Sequence, residues 1–174
     1  MRLLLLAFAL VSVPAVAQHD NHGGHAPSPY ADDADRAIKA LSADEVGGLL
    51  DGRGLGFARA AELNGYPGPL HALELADALG LDATQSAETE RIRAAMTAEA
   101  QALGAQIVEV EGHLDALFND GRATDEAVNR MTAHIGVLRG RLRATHLRAH
   151  IALADVLTLE QRAAYDRLRG YTSD

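Results

Sequence analysis

Residues 96–121 read MTAEAQALGAQIVEVEGHLDALFNDG, and the spacing of their apolar side chains decides the fold. Met96, Ala100, Leu103, Ile107, Val110, Leu114 and Leu117 recur at alternating intervals of four and three. On an α-helix that spacing draws a single apolar stripe, the seam of a coiled-coil-like pair. Asn119-Asp120-Gly121 supplies a turn, and a matching seam follows in Val128, Met131, Ile135, Leu138, Leu142, Thr145, Ala149 and Ala152. Two seams joined by a short turn predict an antiparallel αα-hairpin with arms over 83–118 and 123–156. At 1.5 Å rise per residue each arm is about 50 Å long. A pair this long leaves a second apolar flank, which shorter helices before and after it are expected to cover. The fold class read from the sequence is therefore all-α: a long antiparallel helical hairpin with short flanking helices.

Helix starts are marked by one repeated device. Leu41-Ser42-Ala43-Asp44-Glu45, Leu81-Asp82-Ala83-Thr84-Gln85 and Leu157-Thr158-Leu159-Glu160-Gln161 each place a leucine, a capping residue and, three residues on, a Glu or Gln. This is a capping box with an apolar residue before it, and it fixes where a helix begins and how the chain enters. The last box opens a final helix over 159–168. Between Gly47 and Gly68 the chain is rich in glycine. Gly52-Arg53-Gly54-Leu55-Gly56 lacks the preceding strand and the Gly-Lys-Ser/Thr of a phosphate loop, so it reads as turns around a short helix over 57–63. Pro69 suits the first turn of the next helix, expected over 70–79.

Composition bounds the function. Residues 1–17 read as a secretory signal peptide: Arg2, an apolar run from Leu3 to Val13 broken by Ser12, and the small-x-small site Ala15-Val16-Ala17. The run is too short to span a bilayer, and no later segment is apolar enough. The mature chain is thus expected in the periplasm without a membrane span. Residues 18–33 carry His19, His22 and His25 among Gly, Asn, Asp, Pro and Ser, the composition of a disordered tail. The hairpin domain is expected over 34–174. Cysteine is absent, which excludes disulfides and thiolate chemistry. A formal charge of −8 argues against nucleic acid as a partner. No nucleophile elbow or organic-cofactor motif is present, and an enzyme is not expected.

His146 and His150 stand one turn apart and share a helix face, where two neutral imidazoles can hold one divalent ion. The bland reading is a pair of half-solvated surface histidines. Folding the hairpin at residues 120 and 121 brings His146 level with Ala95 and His150 level with Arg91. Folding back again near 80–82 brings His71 level with Arg91. His71, Glu74, His146 and His150 are therefore expected at one height of the bundle, with Met96 and Glu88 as the nearest extra donors. Three imidazoles and a carboxylate suit Zn, Ni, Co or Cu. The alternative is that His71 caps or packs locally after Pro69 and Glu74 is a solvated helix carboxylate. His113 and His134 fall at other levels and read as exposed. Arg139, Arg141, Arg143 and Arg148 read as a solvated face pairing with glutamates of the other arm, or as a cradle for acidic or unfolded polypeptide.

The Leu-x-x-x-Gln boxes at Leu81–Gln85 and Leu157–Gln161, with the hairpin between them and the export signal, resemble the Spy/CpxP superfamily. The stretch from Ala60 to His71 and the ending Leu168-Arg169-Gly170-Tyr171 resemble its periplasmic heavy-metal sensor branch of the CnrX type. The resemblance covers about residues 42–171; Asp82 stands where the family prefers threonine. It implies a helical hairpin, a homodimer and work in envelope stress. Some members bind misfolded proteins without ATP; others bind nickel, cobalt, zinc or copper and signal to a membrane-bound regulator. The branch's early His-x-x-x-His and later His-x-x-x-Met are not matched here, since the pair in this chain is late. The function read from the sequence is metal sensing or buffering at His71, Glu74, His146 and His150. The alternative is an ATP-independent chaperone or stress adaptor acting on unfolded clients.

Overall fold

Ser42, Asp82 and Thr158 each cap a helix as their boxes require. Each side chain accepts from the backbone N–H three residues on, and Glu45, Gln85 and Gln161 bond back to the cap. The computed structural model describes residues 27–172. The expected signal peptide, and His19, His22 and His25 of the expected tail, lie outside the described residues. Among the described residues the chain is all-helical and forms no strand. After a 3-10 turn at Ala31–Asp33 come α1 (Ala43–Leu50), α2 (Arg59–Glu62), α3 (Pro69–Glu74), α4 (Ala76–Leu79), α5 (Ala83–Asn119), α6 (Asp125–Val156) and α7 (Leu159–Leu168). These seven helices belong to one compact unit that begins at Asp32.

The long pair dominates. Helices α5 and α6 run for 37 and 32 residues, about 55 and about 48 Å at the standard rise. Arg139 meets Glu111 at 3.1 Å and Arg148 meets Glu99 at 3.2 Å, so later positions on α6 face earlier ones on α5 and the pairing is antiparallel. The reversal is made by Gly121, whose positive φ of 66° lets its own N–H and that of Arg122 turn back onto Phe118 and Leu117. Helix α6 starts at Asp125 rather than at 123, because Thr124 takes the N-cap and accepts from Ala127 N–H. The helix expected over 70–79 is interrupted only at Leu75, between α3 and α4.

Two apolar clusters hold the unit together. One joins Leu41 and Leu49 to Ala100, Leu103, Ile107, Leu138 and Leu142. The other joins Ala72, Leu79, Leu153, Leu157 and Tyr165. Each fully buried leucine or isoleucine here contributes about 1.5–3 kcal/mol by leaving water. Between Leu142 of the first cluster and Leu153 of the second, α6 buries Thr145, His146, Ala149 and His150. Polar side chains thus interrupt the core at one level, and that level is where the site forms.

The two Leu-x-x-x-Gln boxes meet each other. Gln85 Nε2 donates to Gln161 Oε1 at 2.8 Å, and Gln161 Nε2 donates back to Gln85 Oε1 at 3.0 Å. Gln85 also donates to the Val156 carbonyl at 3.1 Å. The start of α5 is thereby tied to the junction of α6 and α7.

Candidate functional site

Polar side chains in a core must find partners or carry a desolvation cost. Here they surround a cavity of about 620 Å³ whose lining includes Glu62, His71, Met96, His146, His150 and Tyr171. That volume lies within the range of small-ligand sites.

Helix α7 shapes one side. Arg162 forks onto the Gly65 carbonyl at 3.1 and 2.8 Å and lies over the Tyr66 ring. The clamp turns the Tyr66 carbonyl onto His150, whose Nδ1 lies 2.7 Å from it. A carbonyl can only accept, so Nδ1 carries the hydrogen and Nε2 of the neutral ring keeps a lone pair. Gly68 leaves room for that edge: a Cβ there would stand 3.1 Å from His150 Cε1.

His146 is only 2% exposed and stacks on Phe57, with ring centroids 6.0 Å apart. Its Nε2 is shielded from solvent and has no hydrogen-bond partner among the described residues. Burial, and secondarily the neighbouring His150, hold its pKa below the ordinary value. It is therefore a neutral imidazole at neutral pH.

Glu62, at the end of α2, is the hub of the other side. Tyr165 donates to Glu62 Oε1 at 2.6 Å and Tyr171 donates to the same oxygen at 2.9 Å. The Tyr165 hydroxyl also accepts from Gly68 N–H at 3.2 Å, which leaves its hydrogen for Glu62. Burial, followed by the bond to Glu62, drives the Tyr165 phenol well above its ordinary range. Tyr171 reaches the hub because Gly170, with φ of 71°, ends α7 and turns the Tyr171 N–H back onto the Asp166 carbonyl. Arg169 Nε, His71 Nδ1 and His150 Nδ1 stand 3.6–3.7 Å from the two Glu62 oxygens.

Of the residues expected at this level, His71, His146, His150 and Met96 do line the cavity. Glu74 does not; it is exposed on α3. The carboxylate that meets the imidazoles is Glu62. Glu88 instead pairs with Arg91 on the outer surface of α5. Among the described residues no three His, Asp or Glu side chains form a group able to hold a metal ion. His113 and His134 are exposed. In the arginine stretch, Arg139 and Arg148 pair with glutamates of α5, whereas Arg141 and Arg143 have no ion pair among the described residues. One signal could have disclosed Glu62. Only four tyrosines occur in the chain, and Tyr66, Tyr165 and Tyr171 all gather here.

Comparison of the chain with protein-family models, with curated proteins and with solved structures finds no match.

Proposed function

We propose that the protein is an exported helical metal-binding protein, in which His146 and His150 hold a divalent transition ion for sensing or buffering. The observation that carries this reading is the pair's hydrogen bonding. His146 keeps a buried nitrogen without a partner, a cost of about 1–3 kcal/mol. His150 commits Nδ1 to a carbonyl, which is how ligating histidines are commonly oriented toward a metal through the other nitrogen. Two neutral imidazoles suit Zn, Ni, Co or Cu, with water or a small ligand completing the shell. When bound, the ion would supply a link between α6 and whatever donor completes its shell. The chain's own residues set the rest: Tyr66 fixes the His150 tautomer, Phe57 fixes the His146 ring, and the Glu62 carboxylate stands on the far wall beside His71. The resemblance to the heavy-metal sensor branch of the Spy/CpxP superfamily agrees with this reading, and a membrane-bound regulator would be the partner of a sensor.

The test uses the full chain with His19, His22 and His25 replaced by alanine, so that any ion bound reports on the helical unit. Zn, Ni, Co or Cu should raise its melting temperature, increasingly so as pH rises through about 6 to 7, because protonated imidazole cannot ligate. His146→Ala and His150→Ala should each abolish most of the shift, and His113→Ala should leave it intact. A double His146→Ala/His150→Ala variant that keeps the whole shift for every ion overturns the reading.

A second reading, an ATP-independent chaperone, is favoured by an adjoining groove of about 720 Å³, which shares Leu55, Arg59 and Leu63 with the cavity and adds Arg139 and Arg143. Suppression of client aggregation without nucleotide, weakened by salt, would support it; no suppression at several-fold excess would remove it.

A further inference from the structure

The cavity is not electrostatically balanced. Its walls carry the guanidinium groups of Arg53, Arg59, Arg93 and Arg169 against the carboxylates of Asp51 and Glu62. Arg53 is bonded to Asp44 at 2.9 Å, and Arg169 lies beside Glu62. Among the described residues, neither Arg59 nor Arg93 stands within 4.0 Å of any carboxylate. In a chain of formal charge −8, two uncompensated guanidinium groups at one cavity are a local reversal of sign. Low-dielectric walls concentrate such a field and draw in an anion.

The same cavity also has an apolar mouth. Leu55, Leu63 and Leu70 line it, and they are 39%, 57% and 41% exposed. Leu55 is the single non-glycine residue with positive φ among the described residues, at 42°. A leucine in that region carries strain of roughly 1–3 kcal/mol, which persists where the surrounding structure enforces it. Its side chain lies against Gly48 of α1, so close that a Cβ at Gly48 would stand 2.6 Å from Leu55 Cδ2. The strained backbone therefore plants an exposed leucine at the opening of a positively charged cavity.

We infer that the cavity binds an anionic amphiphile: a single-chain molecule whose carboxylate or phosphate head pairs with Arg59 and Arg93 while its apolar chain covers Leu55, Leu63 and Leu70. A guanidinium fork is suited to either head group. The three leucines leave water only if the ligand carries a chain, so head and tail act together. The inference stands on arginines and leucines rather than on the His146/His150 pair, and it goes beyond metal binding.

Calorimetric titration of the full chain, kept metal-free with a chelator, tests it. Decanoate and decyl phosphate are the anionic probes; decanol, decyltrimethylammonium and inorganic phosphate lack the charge, its sign or the chain. Both anionic amphiphiles should bind, and each control should bind about tenfold more weakly or not at all. Tighter binding of decyl phosphate than of decanoate would assign the head as phosphate, and the reverse as carboxylate. An Arg59→Gln/Arg93→Gln variant should lose about tenfold in affinity for the preferred probe. Arg59→Lys/Arg93→Lys, which keeps the charge but not the fork, should lose less than the glutamine variant. Both arginines are exposed, and unchanged helical circular dichroism would verify folding. No binding at millimolar probe, decanol binding as tightly as decanoate, or an unaltered affinity in the glutamine variant each overturns the inference. Because no metal is present, its failure leaves the metal reading standing, and the converse also holds.

Discussion

Gly104→Ala should unseat α1 from the long helix pair. Gly104 lies inside α5, where alanine would ordinarily be the better residue by about 1 kcal/mol. Here a Cβ would overlap the carbonyl oxygen of Leu49 and stand 2.6 Å from its carbonyl carbon. Carbon atoms rest at about 3.5–4.0 Å, so α1 would have to retreat by roughly 1 Å. Backbone, unlike the end of a side chain, cannot rotate out of the way. Overpacking of this kind costs about 1–3 kcal/mol. The retreat also uncovers part of Leu41 and Leu49, which are 3% and 2% exposed and contribute about 1.5–3 kcal/mol each when fully buried. Set against the propensity gain, the net loss should be about 2–4 kcal/mol. Gly136→Ala and Gly140→Ala supply the control, since no atom would lie within 4 Å of a Cβ at either position on α6. Each should stabilise by about 0.5–1 kcal/mol. Urea unfolding followed by circular dichroism measures all three. If Gly104→Ala matched or exceeded the parent in stability while the controls behaved as stated, the close docking of α1 on α5 would be refuted.

The mutual amide bonds of Gln85 and Gln161 should appear as coupling. A double-mutant cycle to alanine should give an interaction energy on the order of 1 kcal/mol, because either single change already removes both bonds between the amides; additive losses would contradict the pairing. Acid should expose the burial of His146. With its folded pKa below the ordinary 6.5, the unfolded chain takes up the proton first. Stability is therefore full above that value and falls as pH drops below it. His146→Leu should remove part of that fall as pH drops below 6.5, and should stabilise the metal-free protein by removing an unpartnered nitrogen. Parallel melting-temperature losses in parent and variant would refute this.

The hairpin was legible because its signals are local and redundant. Seven apolar positions at strict spacing leave one face for each arm, and Ser42, Asp82 and Thr158 mark helix starts within four residues of sequence. Counting levels along straight helices puts His71, His146 and His150 at one height of the bundle, which works when rise per residue is constant; that a cavity opens at that height is not encoded in such a count. Glu62 was not legible, because its partner Tyr165 lies 103 residues away and the two meet through turns whose directions no periodicity encodes. Glu74 shares the height of the imidazoles in such a count but points outward, since the orientation of a six-residue helix is set by docking rather than by spacing. The link between Gln85 and Gln161 was hidden for a related reason: a capping box describes one helix end and says nothing of a second box facing it.

The seam changes character along the hairpin. Beyond Ile107 on α5 and before Ile135 on α6, Glu111 is the only buried residue of the two helices among the described residues. Leu114, Leu117, Val128 and Met131 are half-covered, and Phe118 is 61% exposed. At the opposite end, short helices and interlocked glutamines enclose both helices of the hairpin. Amide hydrogen exchange should therefore form a gradient, fastest around the Asn119–Thr124 turn and slowest near Leu103, Leu142 and Leu153. The tip can fray and re-form as a unit while the cavity stays assembled, so events at the turn are energetically insulated from events at the histidines.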